Sequence, residues 1–407
     1  MGISEVLSGK RQWWVENAHV LTGLRAIPSG SVQTVITSPP YWGLRSYSTS
    51  PQVWGGLDCE HEWGEPLRPG NYNWAETIVA TGNMDDGHQK RANAVRSNHC
   101  THCNAWRGEL GAEPEPDLFV AHLVEIFREV RRVLADDGVL FVNLGDSYAG
   151  SGKGPSNSLQ RPASSLNNRQ LSAQPVPTTW VPLPSQRARM GSANGESGHT
   201  SGVTPPAGLK PKDLVLIPFR FALAMQQDGW WVRDDIVWAK KSTMPESVTD
   251  RCTRAHEFIF HLTKSRRYFW NQEAIREPQV SDHGSGNGFV RPARLSYDGR
   301  GTDEPWEPSD KGANLRDVWH LGPEPLRGME HYASFPTEIP RRCILAASRE
   351  NDVVLDCFSG SGTTVLTALR LGRRAIGLEL NDKYVTESRR RIEMDAPLFN
   401  RVMDVPS

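Results

Sequence analysis

The stretch Thr37-Ser-Pro-Pro-Tyr41 combines residue types that could hold a planar amine. The Ser38 hydroxyl and the carbonyl of Pro39 are hydrogen-bond acceptors, and the ring of Tyr41 offers a flat apolar surface. Because proline fixes φ and lacks an N–H group, Pro39 and Pro40 should end the preceding strand and keep these groups on a stiff backbone. Two fixed acceptors beside a stacking surface predict a clamp for a planar group that carries –NH2.

A second stretch, Val353–Thr364, contains an acidic residue followed by closely spaced glycines. Gly360 and Gly362 would let a turn of backbone approach a ligand, which the free N–H groups of the next helix would face. Glu379 follows Gly360 by 19 positions, close to the spacing at which an acidic residue binds ribose hydroxyls. Asp356 would suit a ligand ammonium group rather than a phosphate. The stretch therefore predicts a site for a nucleoside that bears an amino acid.

Two short pairs of soft ligands, Cys59-x-His61 and Cys100-x-x-Cys103, have the spacing of a metal site. Each pair can chelate from one turn, and together they make the tetrahedral set that zinc prefers. His99 and His102 remain alternatives to His61. The polar, glycine-rich sequence between the pairs could not hold a fold without such a staple. The spacing predicts one structural zinc ion, because four protein ligands leave no position for a substrate.

The elements that position these stretches follow from the apolar pattern. Ser31–Ile36 is apolar and β-branched, and it predicts a buried strand that leads into Ser38. Val353–Asp356 and Arg374–Leu378 predict two more strands, joined by a helix that begins near Gly362. Since open α/β sheets bind ligands at the carboxyl ends of their strands, we expect both motifs at that edge.

Helices and strands alternate along the rest of the chain, with helices recognised by apolar residues three and four positions apart. We expect helices at Val20–Ala26, from Asp117 to Asp137-Gly138, from Asp213 to Gly229, after Pro336 and, last, at Asp382–Ile392. We expect strands at Trp13–Glu16, Val139–Leu144 and Trp230–Trp238, and a hairpin of His256–His261 with Arg267–Trp270.

The motifs T-S-P-P-Y and D-x-F-x-G-S-G-T resemble those of S-adenosylmethionine-dependent amino-methyltransferases of DNA, in the permuted order called the β group. The resemblance runs over most of Trp13–Ile392 and includes Asn143–Ser147, Ile236–Lys240 and His331–Pro336. It implies a Rossmann-like α/β methyltransferase sheet, circularly permuted, with an inserted zinc-type loop and a target-recognition segment. It also implies S-adenosylmethionine as cofactor and double-stranded DNA as substrate.

The resemblance carries roles over to individual residues. The catalytic motif would be Ser38, Pro39, Pro40 and Tyr41. The cofactor-binding residues would be Thr37, Phe335, Pro336, Asp356, Phe358, Ser359, Gly360, Ser361, Gly362, Thr363, Glu379 and Leu380. For Asp146, lining of the target pocket and simple capping of a loop are both open.

The implied reaction is direct attack of an exocyclic amine on the sulfonium methyl, with the target base flipped out of the duplex. Hydrogen bonds from the amine to Ser38 and to the Pro39 carbonyl would offset the positive charge that grows on nitrogen, and Tyr41 would stack on the base. Attack at the ring carbon C5 would need a cysteine after a proline, and the sequence has no such pair.

Ser38 resembles the residue of enzymes that methylate cytosine at N4, and N6 of adenine is the alternative. Methylation of RNA or of protein glutamine is less favoured, as is a zinc-bearing protein that binds DNA without catalysis.

Composition divides the chain into seven segments. Parts of the methyltransferase domain are expected at 12–50, 117–148, 208–242 and 331–399, separated by an insert with the zinc site at 51–116, a low-complexity insert at 149–207 and a target-recognition region at 243–330. Between Lys240 and Arg300 there are 11 Lys and Arg against 7 Asp and Glu. That local excess suits phosphate contact, and Lys240, Arg251 and Arg254 are the candidate DNA-binding residues.

The chain has 407 residues and a net charge of −1, so it shows no overall basic signal for nucleic acid. Its length suits two or three domain-sized units. It contains no apolar run of 18 residues and no signal-like N-terminus, which predicts a soluble, cytoplasmic protein of bacterial or phage type without a membrane partner. A cognate restriction endonuclease is a candidate partner, and we expect a monomer or a homodimer.

Overall fold

A computed structural model of the chain describes residues 2–44, 49–56, 59–63, 98–149, 208–243, 245–246, 248–278, 312–324 and 335–395. Most of the predicted low-complexity insert at 149–207 and part of the target-recognition region at 243–330 lie outside the described residues, as does His331–Ser334. None of the described helices combines the length and the apolar character needed to cross a membrane.

The described residues form ten strands and seven α-helices. The strands are β1 Trp13–Asn17, β2 Val32–Thr37, β3 Gln52–Trp54, β4 Trp106–Gly108, β5 Leu134–Leu144, β6 Trp231–Lys240, β7 His256–Thr263, β8 Val318–Leu321, β9 Val353–Asp356 and β10 Arg374–Glu379. The helices are α1 Gly2–Leu7, α2 Val20–Arg25, α3 Pro116–Val133, α4 Ile217–Gln227, α5 Glu338–Ala347, α6 Thr363–Arg370 and α7 Asp382–Asp395, with a short 3-10 turn at Glu273–Ile275.

Eight strands form one mixed sheet in the order β1-β10-β9-β2-β5-β7-β6-β8, and β3 pairs with β4 in a separate ribbon. The pairs β1·β10, β10·β9, β9·β2, β2·β5 and β6·β8 are parallel, whereas β7 runs antiparallel to both of its neighbours. The strand from early in the chain, β2, therefore lies directly beside β9 from its late part. The α/β fold class predicted from the sequence is confirmed.

Helices cover both faces of this sheet, and successive residues of a central strand face opposite cores. Val35 and Leu355 belong to the apolar core under α1 to α4, while Ile36 and Val354 belong to the core under α5 to α7. This alternation follows from the two-residue period of a strand. Helix α3 buries a continuous stripe that includes Phe127. A fully buried side chain of this size contributes about 1.5–3 kcal/mol to folding.

One sequence-predicted pairing is wrong. Arg267–Trp270 does not form a hairpin with β7, because both edges of β7 are already occupied by β5 and β6. The segment instead crosses the sheet face, where the Trp270 ring stacks on the His261 ring with centroids 4.9 Å apart. Trp270 therefore contributes to packing next to β7 rather than to the ladder.

Three predicted helix ends are also shifted. Helix α3 begins after Glu115 rather than at Asp117, because Pro116 occupies its first turn, where a missing N–H is harmless. It ends at Val133, since Leu134 already pairs with Val32 of β2. Helix α4 begins at Ile217, after Leu216 in a left-handed conformation, and not at Asp213.

Candidate active site

A cavity of about 790 Å³ lies at the carboxyl ends of the parallel strands β2, β9 and β10. Because β7 runs antiparallel, its first residues reach the same edge and contribute Glu257. Fifteen of the predicted site residues line the cavity: Ser38, Pro39, Pro40, Tyr41, Lys240, Arg254, Phe335, Asp356, Phe358, Ser359, Gly360, Ser361, Thr363, Glu379 and Leu380. Asn143 and Trp238, from the resembling segments Asn143–Ser147 and Ile236–Lys240, line it as well. The predicted residues Thr37, Pro336 and Gly362 are not among the residues that line it.

Asp356 joins the catalytic motif to the glycine-rich turn. Its Oδ1 accepts hydrogen bonds from the Thr37 hydroxyl at 2.7 Å and from the Phe358 N–H at 3.1 Å, and its Oδ2 accepts from the Thr364 hydroxyl at 2.7 Å. Burial raises the pKa of this carboxyl, which is 2% exposed. The sequence assigned Asp356 to a ligand ammonium, and in the fold its oxygens already accept three bonds from the protein.

The glycine-rich turn is held open by backbone that only glycine adopts without strain. Gly360 and Gly362 have φ of 50° and 75°, in the left-handed region. The Gly360 N–H donates to Glu379 Oε2 at 2.8 Å, and the Asn381 N–H donates to Oε1 at 2.8 Å. Burial raises the pKa of Glu379. Helix α6 begins directly after the turn at Thr363, which lines the cavity, so the N–H groups that a helix leaves unpaired at its start lie at this turn.

Ser38 lies at the end of a hydrogen-bonded chain that reaches a carboxylate. The Ser38 hydroxyl lies 3.4 Å from the Tyr41 hydroxyl, which donates to Glu257 Oε2 at 2.6 Å. Asn143 Nδ2 donates to both, at 2.7 Å to the Tyr41 oxygen and at 2.9 Å to Glu257 Oε2. Lys240 Nζ forms an ion pair with Glu257 Oε1. Glu257 was not predicted from the sequence, where its only signal is a carboxylate directly before the apolar residues of β7.

Known proteins with related sequences decide the family. A family model described as DNA methylase, covering N6 and N4 enzymes, matches residues 32–390. The chain belongs to the DNA methylase family. The resemblance predicted from its motifs is therefore confirmed at the level of the family.

This methylase is 34% identical to the type II methyltransferase M.Cfr9I of Citrobacter freundii, over 92% of its own chain and 85% of the relative. It is 32% identical to M.SmaI of Serratia marcescens, over 91% of its chain and 87% of that protein. Among solved structures it aligns with the PvuII DNA methyltransferase (cytosine-N4-specific) at a TM-score of 0.49, with 14% identity over 97% of this chain and 88% of that one.

Each of the three candidate DNA-binding residues of the methylase faces a carboxylate. Besides the Lys240 ion pair, Arg251 forms one with Glu246 at 2.6 Å, and Arg254 lies 3.8 Å from Asp146. Lys240 and Arg254 line the cavity, whereas Arg251 stacks over the ring of Tyr148 outside it. Their role toward DNA stays a prediction.

Asp146 caps a helix of the methylase. Its Oδ1 accepts hydrogen bonds from the N–H groups of Ser147 at 2.9 Å and Ile217 at 3.1 Å. Ile217 is the first residue of α4, so the carboxylate satisfies one of the N–H groups that a helix leaves unpaired at its start. Burial raises the pKa of Asp146. Of the two roles left open by the sequence, these bonds favour capping.

The four predicted metal ligands of the methylase meet in one cluster. Ligand atoms of Cys59, His61, Cys100 and Cys103 all lie within 4.8 Å of one another. The cluster lies next to the β3–β4 ribbon, because His99, the neighbour of Cys100, forms an isolated bridge with Trp106 of β4. No other group of three or more His, Cys, Asp or Glu side chains within the described ranges could hold a metal ion.

Proposed function

We propose that this DNA methylase transfers the methyl group of S-adenosylmethionine to N4 of cytosine in duplex DNA. The observation that carries the proposal is the chain of hydrogen bonds from Glu257 through Tyr41 to Ser38, which ends in the same cavity as the glycine-rich turn. Ser38, rather than an aspartate or asparagine, then accepts the amine. A hydroxyl with a carboxylate behind it suits a neutral, weakly nucleophilic amine.

The residues of the turn fit S-adenosylmethionine. Phe335, Phe358 and the backbone of Ser359–Ser361 would surround its methionine and adenosyl parts, and the Glu379 carboxylate would accept its ribose hydroxyls. Gly360 and Gly362 leave the backbone free of side chains that would obstruct this contact. When bound, the cofactor supplies an electrophilic methyl group.

The chain of hydrogen bonds orients the hydroxyl group of Ser38. Because the Tyr41 hydroxyl donates to Glu257, its oxygen can accept the Ser38 proton beside the N–H of Asn143, and Ser38 Oγ in turn accepts an N–H of the base. Hydrogen bonds that donate in sequence strengthen one another in a partly buried site. The positive charge that develops on the amine is therefore offset from a fixed array. The proton that the amine loses has an acceptor three hydrogen bonds away, at the Glu257 carboxylate, by way of Ser38 and Tyr41.

The rest of the cavity lining suits a base that has left the duplex. Extrusion costs a few kcal/mol, which contacts to the flipped base and the DNA backbone must offset. Lys240 and Arg254 at the cavity are the residues that we propose to contact that backbone. Because the relatives are named type II methyltransferases, we include in the proposal a restriction endonuclease that cuts the same DNA site.

Analysis of the methylated nucleosides tests which atom of the DNA accepts the methyl group. Unmethylated duplex DNA is incubated with the purified protein and isotopically labelled S-adenosylmethionine, then digested to nucleosides and separated by mass. We expect label in N4-methylcytosine, and none with the Ser38→Ala variant. Label in N6-methyladenine would overturn the choice of cytosine. Parallel reactions with RNA and with protein test the acceptor class, and label in either of those alone would remove the assignment to DNA.

A further inference from the structure

Two ligand–ligand distances in the cluster of Cys59, His61, Cys100 and Cys103 are those of a tetrahedral zinc site, and all four ligand atoms lie within 4.8 Å of one another. The Sγ atoms of Cys59 and Cys100 are 3.8 Å apart, and Cys103 Sγ lies 3.5 Å from His61 Nδ1. Zinc bonds of about 2.3 Å to sulfur and about 2.05 Å to nitrogen place two sulfurs about 3.8 Å apart and a sulfur and a nitrogen about 3.6 Å apart. The two spacings match the edges of that tetrahedron.

A disulfide does not account for this geometry. An S–S bond is about 2.05 Å long, so the sulfurs of Cys59 and Cys100 are much too far apart at 3.8 Å. None of the described cysteines forms a disulfide. A pair of thiols also gives no reason for an imidazole nitrogen to lie against the third sulfur.

The surrounding backbone is shaped around the cluster. The His102 N–H donates to Cys100 Sγ at 3.4 Å, a contact that stabilises negative charge on the sulfur. Gly56 has φ of 61°, and a Cβ on it would lie 2.5 Å from Cys103 Sγ and 3.0 Å from the His61 ring. The chain thus uses a glycine to leave room for two of the ligands.

We propose that these four side chains bind one zinc ion, and that this ion holds the β3–β4 ribbon against the catalytic motif. The set is complete with four protein ligands, so the ion is structural and does not contact the substrate. The two ligand pairs come from either side of the long segment between Trp63 and Asn98, and the ion ties together the two ends of that segment.

The β3–β4 ribbon connects the metal cluster to helix α3. Cys100 N–H donates to the Ala105 carbonyl at 2.7 Å, which fixes the residue before Trp106. The rings of Trp54 and Trp106 both stack on His122 of α3, with centroids 5.3 and 5.6 Å away. The metal cluster and α3 are therefore connected through two paired tryptophans.

From His122 the connection continues to the residues that follow the catalytic motif. His122 Nδ1 lies 2.9 Å from Oε1 of the fully buried Glu113, whose Oε2 accepts the Gly111 N–H at 2.7 Å. The Trp42 indole donates to the Glu113 carbonyl at 3.0 Å, and the Gly43 N–H donates to the Gly111 carbonyl at 2.8 Å. Trp42 and Gly43 come directly after Tyr41, so a loosened ribbon loosens the backbone that positions that ring.

Metal analysis tests the site itself. We expect purified protein to hold about one zinc per chain, and cobalt added to metal-free protein to give the visible absorption of a tetrahedral thiolate complex. Cys103→Ser should lose most of its zinc to a chelator that leaves the wild type loaded, while Cys252→Ser should keep it, because Cys252 is exposed and lies outside the cluster. Wild type that binds neither zinc nor cobalt under reducing conditions would overturn the site, as would equal loss in both variants.

Hydrogen exchange tests the connection to the catalytic motif. Removal of the metal should speed exchange of the Gly43 amide at least tenfold, because its bond to Gly111 depends on the ribbon. Amides of β9, which lies in the main sheet, serve as the control and should not change. Unchanged exchange at Gly43, or equal acceleration in β9, would overturn the local role of the metal. Both measurements use the free protein, so neither depends on cytosine being the acceptor.

Discussion

Tyr41 contributes a ring and a hydroxyl, and the fold uses both. The ring lies against Gly145, where a Cβ would come within 2.6 Å of Cε2. The hydroxyl donates to Glu257, 216 positions away in the chain. The sequence motif predicted an aromatic ring at this site. Stacking of that ring on the target base stays a prediction. The bond to Glu257 was not predictable, because neither the length nor the pairing of β7 is encoded near Tyr41.

Tyr41→Phe tests the hydroxyl without removing the ring. Loss of a hydrogen bond to a charged group costs about 1.5–3 kcal/mol, so the turnover number kcat should fall about 10- to 100-fold. The KM for S-adenosylmethionine should stay near its wild-type value, because the change lies on the acceptor side of the cavity. Steady-state kinetics on duplex DNA measure both quantities.

Tyr268→Phe is the matched control for this change. The Tyr268 hydroxyl accepts a hydrogen bond from Arg233 at 3.1 Å, away from the cavity lining. It should keep wild-type kinetics. If Tyr41→Phe turned over as fast as this control, the chain from Glu257 to Ser38 would have no catalytic role.

At the scale of elements, local sequence patterns predicted whether a segment forms a helix or a strand. They failed where the pairing of a strand depends on a partner that is distant in the chain. Strands β2, β9 and β10 were predicted because each is a short apolar run bounded by turn residues, and helix α3 because its apolar stripe has the helical period. The hairpin at Arg267–Trp270 failed because β7 pairs with β5 and β6 instead. Pairing is a property of the assembled sheet, and no local pattern records it.

The turn before α6 provides an element-scale prediction. Gly362→Ala places a Cβ at φ of 75° and only 3.0 Å from the Cβ of Ser388 on α7, so the turn and α7 must move apart. We expect binding of S-adenosylmethionine to weaken at least tenfold by calorimetry. The left-handed backbone alone should lower the free energy of unfolding by about 1–2 kcal/mol.

Gly372→Ala is the control that separates the strain of a left-handed backbone from the steric contact with Ser388. Gly372 also has a left-handed φ, of 74°, but its added Cβ would meet no atom within 4 Å. This variant should lose similar stability and keep cofactor affinity. Equal cofactor affinity in the two alanine variants would show that the turn does not need a glycine in order to bind the ligand.

At the scale of the whole molecule, the site exists because strands from opposite ends of the chain are neighbours. Thr37 and Asp356 are 319 positions apart and share a 2.7 Å hydrogen bond. The sequence predicted this meeting, since both motifs end parallel strands and the carboxyl ends of such strands share an edge. It did not predict that Asp356 would be the connecting residue, because a buried carboxylate and a ligand-binding carboxylate have the same signature in a sequence.

Thr37→Val tests how much this junction contributes to the whole fold. Valine keeps the shape of threonine but removes the hydroxyl, which leaves the buried Asp356 with one donor fewer. An unmet buried acceptor costs about 1–3 kcal/mol, and we expect that loss in the free energy of unfolding from urea titration. Thr386→Val, on the exposed side of α7 with its hydroxyl bonded only to its own helix, should change stability by no more than about 0.5 kcal/mol. Equal urea midpoints for the two variants would mean that packing of the sheet, and not this hydrogen bond, holds the catalytic and cofactor strands together.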